Sequence, residues 1–148
     1  KKMIWLDVGL VNFINDAYKE LITGVYKGRI MEQIVGQSII SGGVHKKTEL
    51  YYWAKERSEG SAEVDFCIQH GTRLVGIEVK SGNILKLRSL FSMASADKNV
   101  IAVRISWDDL KVETYEFSGK TYKLLSIPFY LIDRLPDLVD RFMEIIEK

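Results

Sequence analysis

The stretch AEVDFCIQHGTRLVGIEVKSG, residues 62–82, predicts the fold most directly. Apolar residues alternate with other residues in both of its halves, and His70-Gly71 supplies a turn between them. Residues 62–69 and 73–80 are therefore predicted to be the two strands of a β-hairpin. The rest of the chain supplies candidate helices and strands that would pack around this hairpin.

Strict alternation along the hairpin sorts its side chains into two faces. The apolar face would contain Val64, Phe66, Ile68, Val75, Ile77 and Val79, and the other face would contain Glu63, Asp65, Cys67, Gly76, Glu78 and Lys80. The pattern thus predicts that Asp65, Glu78 and Lys80 share one face of the sheet. An ordinary amphipathic hairpin would show the same pattern, because most charged residues on strands are simply solvated.

Helices and strands alternate on both sides of the hairpin. Before it, periodicity predicts a strand at 3–8, helices at 10–22 and 29–40, and a strand at 50–53. After it, we expect a helix at 85–96, strands at 99–105, 112–117 and 121–125, and a last helix that Pro136 opens and that runs to 148. The predicted fold class is α/β, a single domain over 1–148 with a central mixed β-sheet flanked by helices.

Composition limits the classes of protein that fit the chain. Its 148 residues, 47% hydrophobic and 28% charged, suit one globular domain, and a net charge of +1 gives no global attraction for nucleic acid. Cys67 is the single cysteine, which excludes an internal disulfide and a zinc site made mainly of thiolates, and favours the reducing cytoplasm. No apolar run approaches the roughly 20 residues of a membrane span, so no membrane partner is expected.

Three acidic residues and a lysine stand out from their surroundings. Asp65 and the pair Glu78 and Lys80 interrupt strongly apolar strands, and Glu32 is a lone acid in the predicted helix 29–40. Gly36 follows Glu32 by one helical turn, and a glycine inside a helix usually has a packing reason. A small residue there would let the helix lie close to the sheet and bring Glu32 toward the hairpin carboxylates.

These residue types suit a divalent cation and a phosphoryl group. Mg²⁺ and Mn²⁺ take oxygen ligands, and the predicted metal ligands are Asp65, Glu78 and the backbone carbonyl of Val79. Lys80 would orient the attacking water and neutralise the developing anion. Glu32 would bind a water beside the metal or a second metal ion. The predicted catalytic residues are therefore Glu32, Asp65, Glu78 and Lys80.

The order of these residues resembles a known signature. A helical Glu, an Asp on one strand of a hairpin, and Glu-x-Lys on the next strand form the pattern of the PD-(D/E)xK superfamily, which includes restriction endonucleases and archaeal Holliday-junction resolvases. Val64 replaces the proline of that pattern and leaves the acid in place. The resemblance implies a restriction-endonuclease-like fold and a Mg²⁺- or Mn²⁺-dependent nuclease that hydrolyses phosphodiesters in DNA.

A closer resemblance covers nearly the whole chain. It rests on the segments Met3–Leu10, Gly28–Val35, Leu50–Trp53, Glu63–Phe66 and Ile77–Gly82. Together they resemble a C-terminal domain of unknown function that many bacterial and archaeal AAA+ ATPases carry. The resemblance implies a fragment of a longer chain whose N-terminal ATPase module is a partner of this domain. The given sequence contains no Gly-x-x-x-x-Gly-Lys-[Ser/Thr] phosphate loop of its own.

Two functional classes remain open from the sequence. The complete set of three acids and a lysine favours a nuclease that acts on DNA, and nucleases of this fold often form homodimers to cut both strands. A catalytically inactive regulatory or recognition module of an AAA+ ATPase is the alternative, since a fold does not establish a function. A plain α/β domain with neither activity nor metal is the minority interpretation.

Overall fold

The computed structural model describes residues 2–17, 24, 26–42, 48–55, 61–82 and 87–147. In chain order its elements are α1 Val8–Ile14, α2 Lys27–Ser41, β1 Tyr51–Ala54, β2 Glu63–His70, β3 Arg73–Lys80, α3 Arg88–Ala96, β4 Val100–Ser106, β5 Lys111–Phe117, β6 Lys120–Pro128, a 3-10 helix Phe129–Arg134 and α4 Leu135–Ile146. The predicted α/β class is confirmed.

The six strands form one mixed sheet in the order β1-β2-β3-β4-β6-β5. The neighbours β3, β4 and β6 are parallel, while β1 with β2, β2 with β3, and β5 with β6 are antiparallel. The parallel strands end in register, with Lys80 beside Ser106 and Ser106 beside Pro128. Residues near this edge therefore come together from three different parts of the chain.

Helices cover both faces of the sheet. Helix α2, the 3-10 helix and α4 pack on one face, in a core that includes Val35, Ile77 and Phe142. Helix α3 packs on the other face around Leu90 and Phe91. We call these the α2 face and the α3 face. Burying one such large apolar side chain stabilises a fold by about 1.5–3 kcal/mol, so the two layers together hold the sheet in place.

The hairpin of β2 and β3 is present, with a turn one residue later than predicted. His70 pairs with Arg73, so Gly71 and Thr72 form the turn. Gly71 has φ of 59°, a conformation that glycine adopts without steric cost. Nε2 of His70 lies 2.6 Å from Oδ1 of Asp140, which fastens this end of the hairpin to α4.

A β-bulge interrupts the alternation of β2. Tyr51 pairs with Cys67 and Trp53 pairs with Val64, so one residue of β1 faces two residues of β2, 65 and 66. Such bulges turn side chains out of the regular alternation and occur often beside functional sites. The strict alternation that the sequence suggested therefore breaks at residues 65 and 66.

The bulge changes which side chains share a face. Phe66 and Ile68 belong to the core of the α2 face, as predicted for a shared face. Val64 and Cys67 instead belong to the core of the α3 face. The prediction that groups Val64 with Phe66 and Ile68 is wrong, because it assumed an unbroken period of two.

Residues 2–7 do not form the predicted strand. They run along α2, where Oε1 of Gln33 accepts the N–H of Trp5 at 3.0 Å and Nε2 of Gln33 donates to the carbonyl of Met3 at 2.8 Å. Nε2 of Gln37 donates to the carbonyl of Trp5 at 2.6 Å. Side-chain amides of a helix thus take the place of a neighbouring strand. We call residues 2–7 the N-terminal strap.

Some predicted helix boundaries also shift. Asp7 caps α1 by accepting the N–H of Leu10 at 2.8 Å, and the helix ends at Ile14, before Asp16 with φ of 51°. The predicted helix 10–22 is therefore wrong at residues 15–17, and 18–23 lie outside the described residues. The predicted start at 85 also lies outside them. No helix in the described ranges is long and apolar enough to cross a membrane.

Candidate active site

Helix α2 carries Glu32 above the α2 face of the sheet. Gly36 lies one turn later and is buried. A Cβ at this position would lie 2.8 Å from Cδ1 of Ile4 and 3.1 Å from Cζ of Phe66. The structure thus confirms the reason predicted for Gly36, because only a residue without a side chain lets α2 and Glu32 come this close to the sheet.

Asp65 lies in the bulge, at the point where β2 and β3 part. The paired residues of the two strands end with Phe66 and Ile77. Beyond that pair, Oδ2 of Asp65 accepts the N–H of Val79 at 2.8 Å. The carboxylate therefore acts as the acceptor that a backbone carbonyl would otherwise supply, and this bond fixes its orientation toward β3.

The ammonium of Lys2, on the strap, lies among three carboxylates. Its Nζ is 2.7 Å from Oε1 of Glu32, 3.2 Å from Oδ1 of Asp65 and 3.4 Å from Oε1 of Glu63. Burial by itself lowers the pKa of Lys2, but the hydrogen bond to Glu32 and the charge of Asp65 outweigh it and raise that pKa above its ordinary value. No spacing in the sequence links residue 2 to 32 or 65, so Lys2 is absent from the predicted set.

Glu78 is the most buried carboxylate of the site, with 8% of its side chain exposed. Its Oε1 accepts a hydrogen bond from Nζ of Lys80 at 2.6 Å. Its Oε2 is buried and has no hydrogen-bond partner among the described residues. Burial, followed by the negative charge of Asp65, raises the pKa of Glu78 despite the ammonium of Lys80. One oxygen of this carboxylate is therefore buried and unused.

The charged residues of the site lie on two sides of β3, with Glu78 and Lys80 on one side and Asp65 on the other. Gly76 packs against α3, so alternation along β3 places Glu78 and Lys80 toward the α3 face. Asp65 is tied to the α2 side through Lys2. This arrangement differs from the predicted single face, because the bulge turns Asp65 toward α2. The charge of Asp65 still acts on Glu78, so the two carboxylates are electrostatic neighbours.

All four predicted catalytic residues lie in the described part of the chain. The structure joins Glu32 to Asp65 through Lys2, and it joins Glu78 to Lys80 directly. Within the described ranges no group of three or more His, Cys, Asp and Glu residues has the arrangement of a metal site. Asp65 and Glu78 nevertheless offer the hard oxygen donors that Mg²⁺ and Mn²⁺ prefer, and the unpartnered Oε2 of Glu78 fits a bound cation.

A second polar cluster lies on β4, β5 and β6. Arg104 is fully buried, and its Nη2 lies 2.5 Å from Oε2 of Glu113 and 3.1 Å from Oδ2 of Asp108. Oγ of Ser126 donates to the same Glu113 oxygen at 2.6 Å, and Nζ of Lys111 lies 3.3 Å from the other oxygen. Burial by itself raises the pKa of Glu113, but the Ser126 hydrogen bond and the Arg104 charge outweigh it and lower that pKa.

The sequence does carry one signal for this second cluster. Arg104 is the only charged residue in the apolar stretch 99–105, which is predicted to be a strand. A buried charge requires a partner, so such a position implies an acid nearby. The acid is Glu113 on β5, which the antiparallel pairing of β5 with β6 brings close to Arg104 on β4.

A family model described as "Domain of unknown function (DUF4143)" matches residues 27–130, which is 104 of the 148 residues. The matched part begins with α2, contains the whole sheet and includes Glu32, Asp65, Glu78 and Lys80. This chain belongs to the DUF4143 family. The strap with Lys2 precedes the part of the DUF4143 domain that the family model matches. No curated protein sequence matches the chain significantly.

Proposed function

We propose that this DUF4143 domain is a metal-dependent nuclease of the PD-(D/E)xK type that hydrolyses phosphodiesters in DNA. Two neighbouring carboxylates carry the proposal. Asp65 is held by the N–H of Val79, while Glu78 has one oxygen on Lys80 and another with no hydrogen-bond partner in the described part of the chain. A helix with Glu32 before the β2–β3 hairpin supports a restriction-endonuclease-like order of elements.

Asp65 and Glu78 reach β3 from different sides, but they lie close enough together for the charge of Asp65 to raise the pKa of Glu78. Beyond the last paired residues of β2 and β3, Asp65, Glu78 and the carbonyl of Val79 would together hold the Mg²⁺ or Mn²⁺ ion. Burying an ionised carboxylate without a full set of partners is costly, so a cation at Glu78 would be favoured there. When bound, the cation stabilises the charge that develops on the phosphoryl oxygens. The protein contributes the fixed position of Asp65, which the sheet itself sets through the Val79 N–H.

Lys80 would orient the attacking water. Its ammonium is held 2.6 Å from Glu78, while a quarter of its side chain remains exposed to solvent. An ammonium has three protons to donate, so two remain for a water or a phosphoryl oxygen. A donor that is fixed before the reaction and directed at developing charge contributes about 10²–10³ in rate in other enzymes.

A catalytically inactive regulatory or recognition module of an AAA+ ATPase is the second candidate. Lys2 favours it, because its ammonium already forms ion pairs with Glu32 and Asp65 without a metal. In this case the partner would be the N-terminal ATPase module of a longer chain, and the polar cluster would serve stability or recognition. A homodimer would be compatible with either function.

The decisive experiment measures metal binding and DNA cleavage with the same variants. We expect Mn²⁺ to raise the melting temperature of the wild type and to leave that of Asp65→Asn unchanged. Single-stranded, duplex and branched DNA are then incubated with Mn²⁺, and we expect Lys80→Met to lose about 10²-fold or more in cleavage rate. Lys98→Met, at an exposed turn after α3, is the matched control and should cleave like the wild type.

The outcomes separate the two candidates. Mn²⁺ binding without cleavage of any of these DNAs would favour the recognition module. Absence of Mn²⁺ binding by the wild type would rule out a metal-dependent nuclease in this form of the chain. Equal cleavage by Lys80→Met and the wild type would remove the role assigned to that lysine.

A further inference from the structure

The N-terminal strap brings a fixed positive charge to the candidate metal site. Its hydrogen bonds with Gln33 and Gln37 position the strap, and Lys2 at its start reaches Glu32 and Asp65. We propose that Lys2 is a built-in competitor of the divalent cation, so that metal binding requires release of the strap from α2. This inference rests on the metal site of the proposed function and adds a control of its occupancy.

The two oxygens of Asp65 explain why the cations compete. Oδ2 accepts the N–H of Val79 at 2.8 Å, which fixes the orientation of this oxygen toward β3. Oδ1 lies 3.2 Å from Nζ of Lys2. A metal ion that binds Asp65 through Oδ1, the oxygen that makes no bond to the sheet, would therefore meet the ammonium of Lys2. Because the ammonium and the metal are both positive, they repel each other at that oxygen.

The strap is attached more weakly than the regular elements. The hydrogen bonds between the strap backbone and α2 are made to side-chain amides and are exposed to solvent. The bond from Lys2 to Glu32 is part-buried. Leu6 is completely exposed and Met3 is 73% exposed, while Ile4 packs against the core beside Gly36. A segment with few buried apolar contacts opens at a lower free energy than the core strands. Release of the strap can therefore occur while the sheet stays folded.

Two variants separate strap release from a simple effect of charge. Lys2→Met removes the competing ammonium and keeps an apolar stem over Phe66, whose ring centroid lies 5.4 Å from Nζ. Gln37→Leu removes the 2.6 Å hydrogen bond to the carbonyl of Trp5 and retains every charge of the site. Lys98→Met removes an exposed lysine on the turn after α3 and serves as the control.

The affinity of each variant for Mn²⁺ is measured by isothermal titration calorimetry. We expect Lys2→Met to bind Mn²⁺ about tenfold more tightly than the wild type, because a conformation that excludes the ligand lowers its apparent affinity. Gln37→Leu should bind about threefold more tightly, since it only weakens the docked strap. Lys98→Met should match the wild type.

Amide hydrogen exchange of the strap gives a second measurement that does not depend on activity. The N–H of Trp5 donates to Oε1 of Gln33 when the strap is docked, which protects it from exchange. Saturating Mg²⁺ should accelerate exchange at Trp5 in the wild type and leave the amides of β3 and β4 protected. Unchanged exchange at Trp5 in Mg²⁺-saturated protein would overturn the inference.

The remaining outcomes distinguish this inference from the proposed function. Strap competition would be overturned if the wild type and Lys2→Met bound Mn²⁺ with equal affinity. It would also be overturned if Lys2→Met changed the Mn²⁺ affinity and Gln37→Leu did not. Either result would leave the metal site itself in place. If Lys2→Met bound Mn²⁺ and the wild type did not, the competition would be supported, and the wild type would not have the proposed metal-dependent activity. Binding by neither protein would remove both.

Discussion

Glu78 on β3 and Glu113 on β5 are two carboxylates of the same sheet that differ in how their oxygens are satisfied. Glu113 has Arg104, Ser126 and Lys111 around its two oxygens, and its pKa is lowered. Glu78 has Lys80 on one oxygen and no partner on the other among the described residues, and its pKa is raised. The fold therefore stabilises the charge of Glu113 and opposes that of Glu78.

This difference indicates that the cluster around Glu113 is structural, whereas Glu78 belongs to a candidate functional site. A carboxylate whose partners outweigh its burial adds to the free energy of unfolding. One whose burial outweighs its partners subtracts from it, and such strained ionisable groups are concentrated at functional sites. Charge and burial alone would have grouped Glu78 with Glu113, whereas the number of partners on each oxygen separates them.

The largest expected effect is that of Arg104→Met. This substitution leaves Glu113 partly buried without its main cation, and removal of one partner of a buried ion pair costs about 3–5 kcal/mol. Urea unfolding at neutral pH measures the loss. Lys111→Met is the control, because the Lys111 side chain is 45% exposed and such surface pairs contribute about 0.5 kcal/mol or less. A loss below about 1 kcal/mol for Arg104→Met would contradict a structural cluster.

Glu113→Gln should have an intermediate effect that depends on pH. Hydrogen bonds to charged groups contribute about 1.5–3 kcal/mol, so we expect a loss in that range at pH 7. The folded-state pKa of Glu113 lies below its ordinary value. The stabilisation that the ionised carboxylate gives to the folded state is therefore complete above the unfolded-state pKa and is lost as pH falls through the folded-state pKa. Unfolding of both proteins between pH 7 and pH 3 tests this, and a difference that stays constant over this range would refute it.

Glu78→Gln should have the smallest effect, and in the opposite direction. We expect the free energy of unfolding of the variant to equal that of the wild type or to exceed it by up to about 1 kcal/mol at pH 8 without divalent cations, because the substitution removes a buried charge that has a partner on only one of its two oxygens. The folded-state pKa of Glu78 is raised, so the wild type loses stability relative to the variant as pH rises through it.

Thermal unfolding at pH 4 and pH 8 measures that difference. A destabilised Glu78→Gln at pH 8 would show that the pair of Glu78 and Lys80 is structural, as the Glu113 cluster is. The same variant should no longer bind Mn²⁺, which provides a matched test of binding against stability.

The hairpin and the α/β class follow from the sequence because they depend on local pattern. Alternating apolar residues and a glycine turn define β2 and β3 within one residue. The approach of Glu32 also follows, since a glycine inside an amphipathic helix indicates close packing. Each of these conclusions uses residues that are near neighbours in the chain or on one helix face.

The remaining features depend on pairing between distant residues. The bulge at residues 65 and 66 arises from the way β2 pairs with β1, and no residue type within β2 predicts it. The apolar strap was predicted to be a strand, yet its backbone hydrogen bonds are made with glutamine side chains of α2. Lys2 meets Asp65 across 63 positions of sequence. Periodicity contains no information about such long-range contacts, so the site was predicted without its bulge and without Lys2.

The geometry of the candidate site also depends on Gly36, a residue that carries no charge. The missing methyl group at this position sets the height of α2 above Phe66 and, through Ile4, the height of the strap. Glu32 and Lys2 belong to these two segments, so their separation from Asp65 is decided inside the hydrophobic layer. Substitution of aliphatic side chains in this layer, by evolution or by engineering, could therefore change the interactions among these charges while every ionisable group stays the same.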